Sequence, residues 1–189
     1  MVHDSLLATP WWVNLLILTP IVPYLLSKRS KVLLGNRRLL VSAVFGVAFG
    51  FVEAAVVVYL RASAGLLPGQ QGLAANGFPD HLLQIEVFRE AATQVMLVAV
   101  AVLAARGVRE RIVAFLWTFA FWDLAYYVWL CVVIGWPNSL ISPDLLFLIP
   151  VPWIAQVWFP VLVSSLTVVV ILFCSRKPIG IRVRADSTP

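Results

Sequence analysis

Five stretches of this chain are almost wholly apolar and long enough to cross a bilayer as helices: 7–26, 39–60, 86–105, 112–134 and 156–174. A helix needs about 20 consecutive apolar residues to span the ~30 Å hydrocarbon core. Composition agrees. Of 189 residues, 61% are hydrophobic and only 12% are charged, against about 25% charged in a soluble domain. The sequence therefore predicts an all-α, polytopic integral membrane protein, a five-helix bundle forming a single transmembrane domain over 1–189. Pro20 and Pro23 predict a kink near the inner end of the first helix. No secretory signal is expected, because MVHDSLLAT lacks a basic start.

The net charge of +5 reports topology and not nucleic acid. Lys28, Arg29, Lys31, Arg37 and Arg38 fall on the first connection, Arg106, Arg109 and Arg111 on the third, and Arg176, Lys177, Arg182 and Arg184 on the tail 175–189. Basic residues concentrate on the cytoplasmic side of a membrane. These alternating connections are thus expected in the cytoplasm, with the N-terminus outside and the C-terminus inside. Arg61 and Arg89 are the two exceptions. The cell membrane, and specifically a bacterial inner membrane, is the expected location.

Two stretches fall on the outer side. Residues 61–80 are rich in Gly, Pro and Ala and read as a loop. Residues 137–155 contain PDLLFLIPVPW (143–153), an apolar run in which Pro150 and Pro152 forbid a regular helix. It reads as a Pro-rich outer segment, either an interfacial cap or a re-entrant lid over a site. Cys131 and Cys174 lie near opposite ends of their helices, too far apart for a disulfide.

Asp123 interrupts the run FWDLAYYVWL (121–130), where a carboxyl at the centre of a membrane helix costs about 2.5–3.5 kcal/mol. It does not stand alone. A rise of ~1.5 Å per residue puts Glu53 roughly 22 Å from Arg38, Glu90 roughly 24 Å from Arg106 and Asp123 roughly 18 Å from Arg111. Three helices thus carry acids to one level. At about 100° per residue, Glu86, Arg89, Glu90 and Thr93 share a face of the third helix, and Asp123, Tyr126 and Tyr127 share one of the fourth. On the second helix, Ser42, Gly46, Gly50 and Glu53 share a face. Gly46 and Gly50 form a GxxxG pair that lets another helix approach closely. Glu53 therefore points into the bundle, and Asp123 is expected beside Tyr126 or Tyr127.

Arg89 is the single base in a layer with Glu53, Glu86, Glu90 and Asp123. It suits a salt bridge to Glu86 at i−3 or to Glu53 across the interface. The remaining acids cannot all be buried and ionised cheaply. Such a cluster fits acid–base chemistry on an apolar, lipid- or isoprenoid-like small molecule, with Glu53, Glu86, Glu90 and Asp123 as catalytic candidates. Arg89, Tyr126 and Tyr127 would support them. The same residues fit a helix-pinning ion cluster, a non-catalytic subunit docking on partner membrane subunits, or a proton or cation relay. A carboxylate metal site with His81 above it is the remaining arrangement. No cofactor is implied, because His3 and His81 are the only histidines, no span carries lysine, and no phosphate loop or nucleophile elbow occurs. The lipid bilayer is the expected partner.

FVEAAVVVYL (51–60), IEVFREAATQV (85–95), WDLAYY (122–127) and VPWIAQVWFP (151–160) occur in an order that resembles the emopamil-binding (EXPERA) superfamily of membrane isomerases. The resemblance covers residues 45–165 by pattern. It implies that Glu53 and Glu86 donate and accept the proton that moves a double bond, and that Trp153 or Trp158 faces the cationic intermediate. Phe49 stands where the family has a histidine, and Arg89 has no counterpart.

Overall fold

The computed structural model describes residues 6–28, 34–63 and 80–175. Most of the expected loop 61–80 and of the basic tail lies outside these residues, as does the His81 side chain.

Four helices are long and apolar enough to cross a membrane: α2 (Asn36–Ser63), α3 (Asp80–Ala104), α4 (Val108–Ile134) and α5 (Trp158–Ser175). The expected first span is different. It is a 3-10 helix over Trp11–Leu18 followed by a short α1 over Ile21–Ser27. Its length falls short of the other four. Local chemistry explains this. The Asn14 side chain donates to the carbonyls of Ala8 and Trp11 and accepts from the Ala8 N–H, diverting backbone groups from an α ladder. Pro20 and Pro23 lack N–H donors, and the Pro23 ring would clash with the carbonyl one turn back in a continuous helix. At the start of α1 that conflict disappears.

The bundle is organised around α4, whose buried face includes Trp117, Thr118, Trp122, Asp123 and Tyr127. The GxxxG pair closes α2 onto it. A Cβ at Gly46 would lie 2.8 Å from the Thr118 carbonyl oxygen, and one at Gly50 would lie 2.7 Å from that of Trp122. Both obstacles are backbone and cannot swing aside, so only glycine permits this approach. The Trp117 indole then donates to the Leu39 carbonyl at 2.8 Å. Gly135, in the left-handed region at φ 67°, stops α4.

The segment expected as an interfacial or re-entrant cap is a β-hairpin. Strand β1 (Pro143–Phe147) pairs antiparallel with β2 (Trp153–Gln156), with Asp144 opposite Ala155 and a bulge between Leu145 and Phe147. Pro150 and Pro152 fall in the connection, where no ladder donor is needed. Thr9 pairs with the other edge of β2, exchanging 2.8 Å hydrogen bonds with Ile154. The apolar content of PDLLFLIPVPW conceals this, because a short apolar run is compatible with strand or helix.

Candidate functional site

Helices α2 to α5 and the hairpin enclose a cavity of about 110 Å³. A single water needs only about 10–15 Å³ on this measure, so the space admits several waters or an apolar group. All four sequence-level acids line it: Glu53, Glu86, Glu90 and Asp123. So do Arg89, Tyr126, Tyr127 and Trp153. Trp158 does not; its indole donates to Gln156 at 2.9 Å beside the hairpin.

The local folding explains the arrangement. One turn beyond Gly50, Glu53 is buried in the bundle, where its partners Arg89 and Thr93 come from α3. Glu86, Arg89, Glu90 and Thr93 project together from α3. Arg89 bridges the two helices: it forms ion pairs with Glu53 on α2 and with Glu86 on its own helix, donating from Nε to Glu86 at 2.9 Å. Thr93 donates to the other oxygen of Glu53. The two alternative partners of Arg89 are therefore both engaged.

Glu90 faces the hairpin, where its Oε2 accepts the Leu148 N–H at 2.8 Å. Asp123 lines the cavity with Tyr126 and Tyr127, as expected, but its hydrogen bond goes to neither. Its Oδ2 accepts from the Ser164 hydroxyl of α5 at 2.7 Å. The tyrosine bond goes elsewhere, from Tyr127 to Asp144 Oδ2 on β1 at 2.7 Å. The hairpin is thus tied over the cavity through two carboxyl groups, Glu90 below and Asp144 within it. Burial pushes the Asp144 carboxyl up from its usual range, opposed by the Tyr127 hydroxyl, the Arg61 charge and the Leu145 N–H.

Sequence reasoning missed Asp144, Ser164 and Arg61. The signal for Arg61 was present: together with Arg89 it breaks the charge asymmetry of the connections. Both exceptions belong to this region, with Arg61 buried and its guanidinium 4.6 Å from the centre of the Trp136 ring. Asp144 and Ser164 carried no comparable mark.

The remaining lining is apolar and aromatic, including Phe119, Trp122, Phe147 and Phe159. Among the described residues, no group of three or more His, Cys, Asp and Glu could hold a metal ion. Glu53 and Glu86, two members of the carboxylate metal set considered from sequence, are committed to Arg89. The site can instead present carboxyl groups of different character to an apolar molecule: Glu53 and Glu86 bonded to a cation, Asp123 bonded to a neutral hydroxyl.

Comparison with protein-family models, with curated proteins and with solved structures finds no match.

Proposed function

We propose that this chain is a multi-pass membrane protein that performs acid–base chemistry on an apolar, isoprenoid- or lipid-like substrate. The reading rests on one observation: carboxyl groups from three helices share a cavity whose remaining lining is mainly aliphatic and aromatic. A double-bond shift needs no cofactor. One carboxyl group gives a proton to a doubly bonded carbon, the old π electrons forming the new C–H bond and leaving a cation on the next carbon. A carboxylate then takes a proton from the carbon on that cation's other side, and the electrons of the broken C–H bond form the new π bond. Asp123 is suited to carry the proton, having a hydroxyl and no cation as its partner. Glu53 and Glu86, bonded to Arg89, are suited to accept one. The EXPERA resemblance supports the reaction class and a place for these two glutamates in it, although it would make one of them the donor. Trp153 and Trp122 supply ring faces that favour developing positive charge.

The chemistry has a signature that needs no knowledge of the substrate. Purified protein incubated with total lipids of its source cells in heavy water should place deuterium on carbon in at least one lipid. After back-exchange in ordinary water, mass spectrometry detects the retained label. A lipid pool with no carbon-bound deuterium above the protein-free control would rule the reaction out.

The orientation proposed with it counts the shorter Trp11–Ser27 segment as a fifth crossing, puts the N-terminus outside and the tail inside, in a bacterial inner membrane, and follows from the placement of twelve of the fourteen basic residues. With Cys131 and Cys174 replaced by serine, Asn138→Cys should react with an impermeant thiol reagent added to intact cells, and Gly35→Cys should not. Both positions are exposed. The reverse labelling pattern would invert the topology.

A further inference from the structure

Arg61 is the buried charge that the acid–base reading leaves unused. It is 5% exposed, although an arginine at the end of a membrane helix normally extends its head into water or headgroups. Its guanidinium lies against Trp136, itself buried. Nε and Nη2 are buried with no hydrogen-bond partner among the described residues. Asp144 feels its charge, yet no carboxylate among the described residues is in ion-pair contact with it, and Asp144 is taken up by Tyr127 and the Leu145 N–H. Buried, unbonded guanidinium donors are costly, and they are matched by an anion that accepts two parallel hydrogen bonds.

The position says what such an anion is attached to. Glu53, Val57, Leu60 and Arg61 fall along one stripe of α2 at helical spacing. The first three line the cavity. Arg61 lies about 12 Å along the helix from Glu53, at the end of that apolar track. We propose that Arg61 binds the phosphate of an anionic lipid, whose chain runs along α2 into the cavity. The substrate class of the proposed reaction is then a lipid phosphate. That role rests on the acid–base reading; the binding does not.

The test is thermal unfolding of the full-length protein in detergent with three probes: dioctanoyl phosphatidic acid, dioctanoylglycerol and inorganic phosphate. Phosphatidic acid should raise the melting temperature by several degrees at concentrations well above its Kd, and dioctanoylglycerol should not. Arg61→Met keeps contact with Trp136 and removes the charge. It should melt at or above wild type without lipid and lose the shift. Arg61→Lys keeps the charge without the planar fork and should show a reduced shift. Equal shifts from phosphatidic acid and dioctanoylglycerol would overturn the proposal. Inorganic phosphate acting as strongly as phosphatidic acid would assign a free-anion site and overturn the lipid. An Arg61→Met protein melting far below wild type would make the residue scaffolding and also overturn it. Asp123→Asn should keep the lipid shift while losing deuterium transfer; a wild-type protein that shows the lipid shift but places no deuterium on lipid carbon would reject the chemistry while sparing the binding site.

Discussion

Arg89→Leu should destabilise the protein by about 3–5 kcal/mol, the range for breaking a buried ion pair by removing one partner. The reason is the pair of carboxylates left behind. Glu53 is buried, its side chain 5% exposed, and Glu86 is 18% exposed. After the substitution Glu53 keeps only the Thr93 hydroxyl, a bond worth about 1 kcal/mol, which cannot balance a buried charge. Because Arg89 serves both acids, relief should be graded. Arg89→Leu with Glu53→Gln, or with Glu86→Gln, should recover part of the loss. The triple variant should recover most of it, since a buried ionic set replaced as a whole is often neutral or better. Denaturant or thermal unfolding in one detergent measures all five proteins. If the triple variant is no more stable than Arg89→Leu alone, the bridge is not what Arg89 contributes.

The parts of this site that were legible from sequence are those fixed by a single helix. Phase alone places Glu86, Arg89, Glu90 and Thr93 together, and phase with the glycine pair turns Glu53 into the bundle, where it meets Arg89 and Thr93. Depth counted from the basic ends brings Asp123 to the same level. The missed parts depend on pairing between distant segments. Asp144 sits in an apolar run whose strand character appears only when Trp153–Gln156 comes alongside. Ser164 lies in an apolar helix and becomes a partner only because α5 packs where Asp123 emerges. For the same reason the partner of the Tyr127 hydroxyl is hidden in the sequence: Asp123 visibly shares its helix face, whereas Asp144, which accepts from it, comes from a distant segment. The first apolar segment departs from expectation for another reason, being helical but shorter and broken in two. Its composition satisfies a span, but composition says nothing of Asn14 diverting backbone groups or of two prolines dividing the helix.

Asp123→Asn should reduce deuterium transfer to lipid by roughly 10²–10⁴-fold, the usual contribution of a positioned acid or base. The variant should nevertheless fold. An amide has the shape of the carboxyl, its oxygen can accept the Ser164 hydroxyl as Asp123 Oδ2 does at 2.7 Å, and a buried neutral group avoids the penalty of a charge. Stability at or above wild type together with lost transfer is therefore the expected pair of results. Ser164→Ala supplies the converse case. It deletes the hydroxyl and keeps the carboxyl, so it should cost about 1 kcal/mol of stability while leaving transfer far above that of Asp123→Asn. A purely structural Asp123 gives the opposite ordering, with Asn exchanging label at the wild-type rate. That outcome would remove the residue from the chemistry. The proton would then have to be carried by Glu90, whose Oε2 is already bonded to the hairpin through the Leu148 N–H, and Glu90→Gln would become the variant that stops transfer.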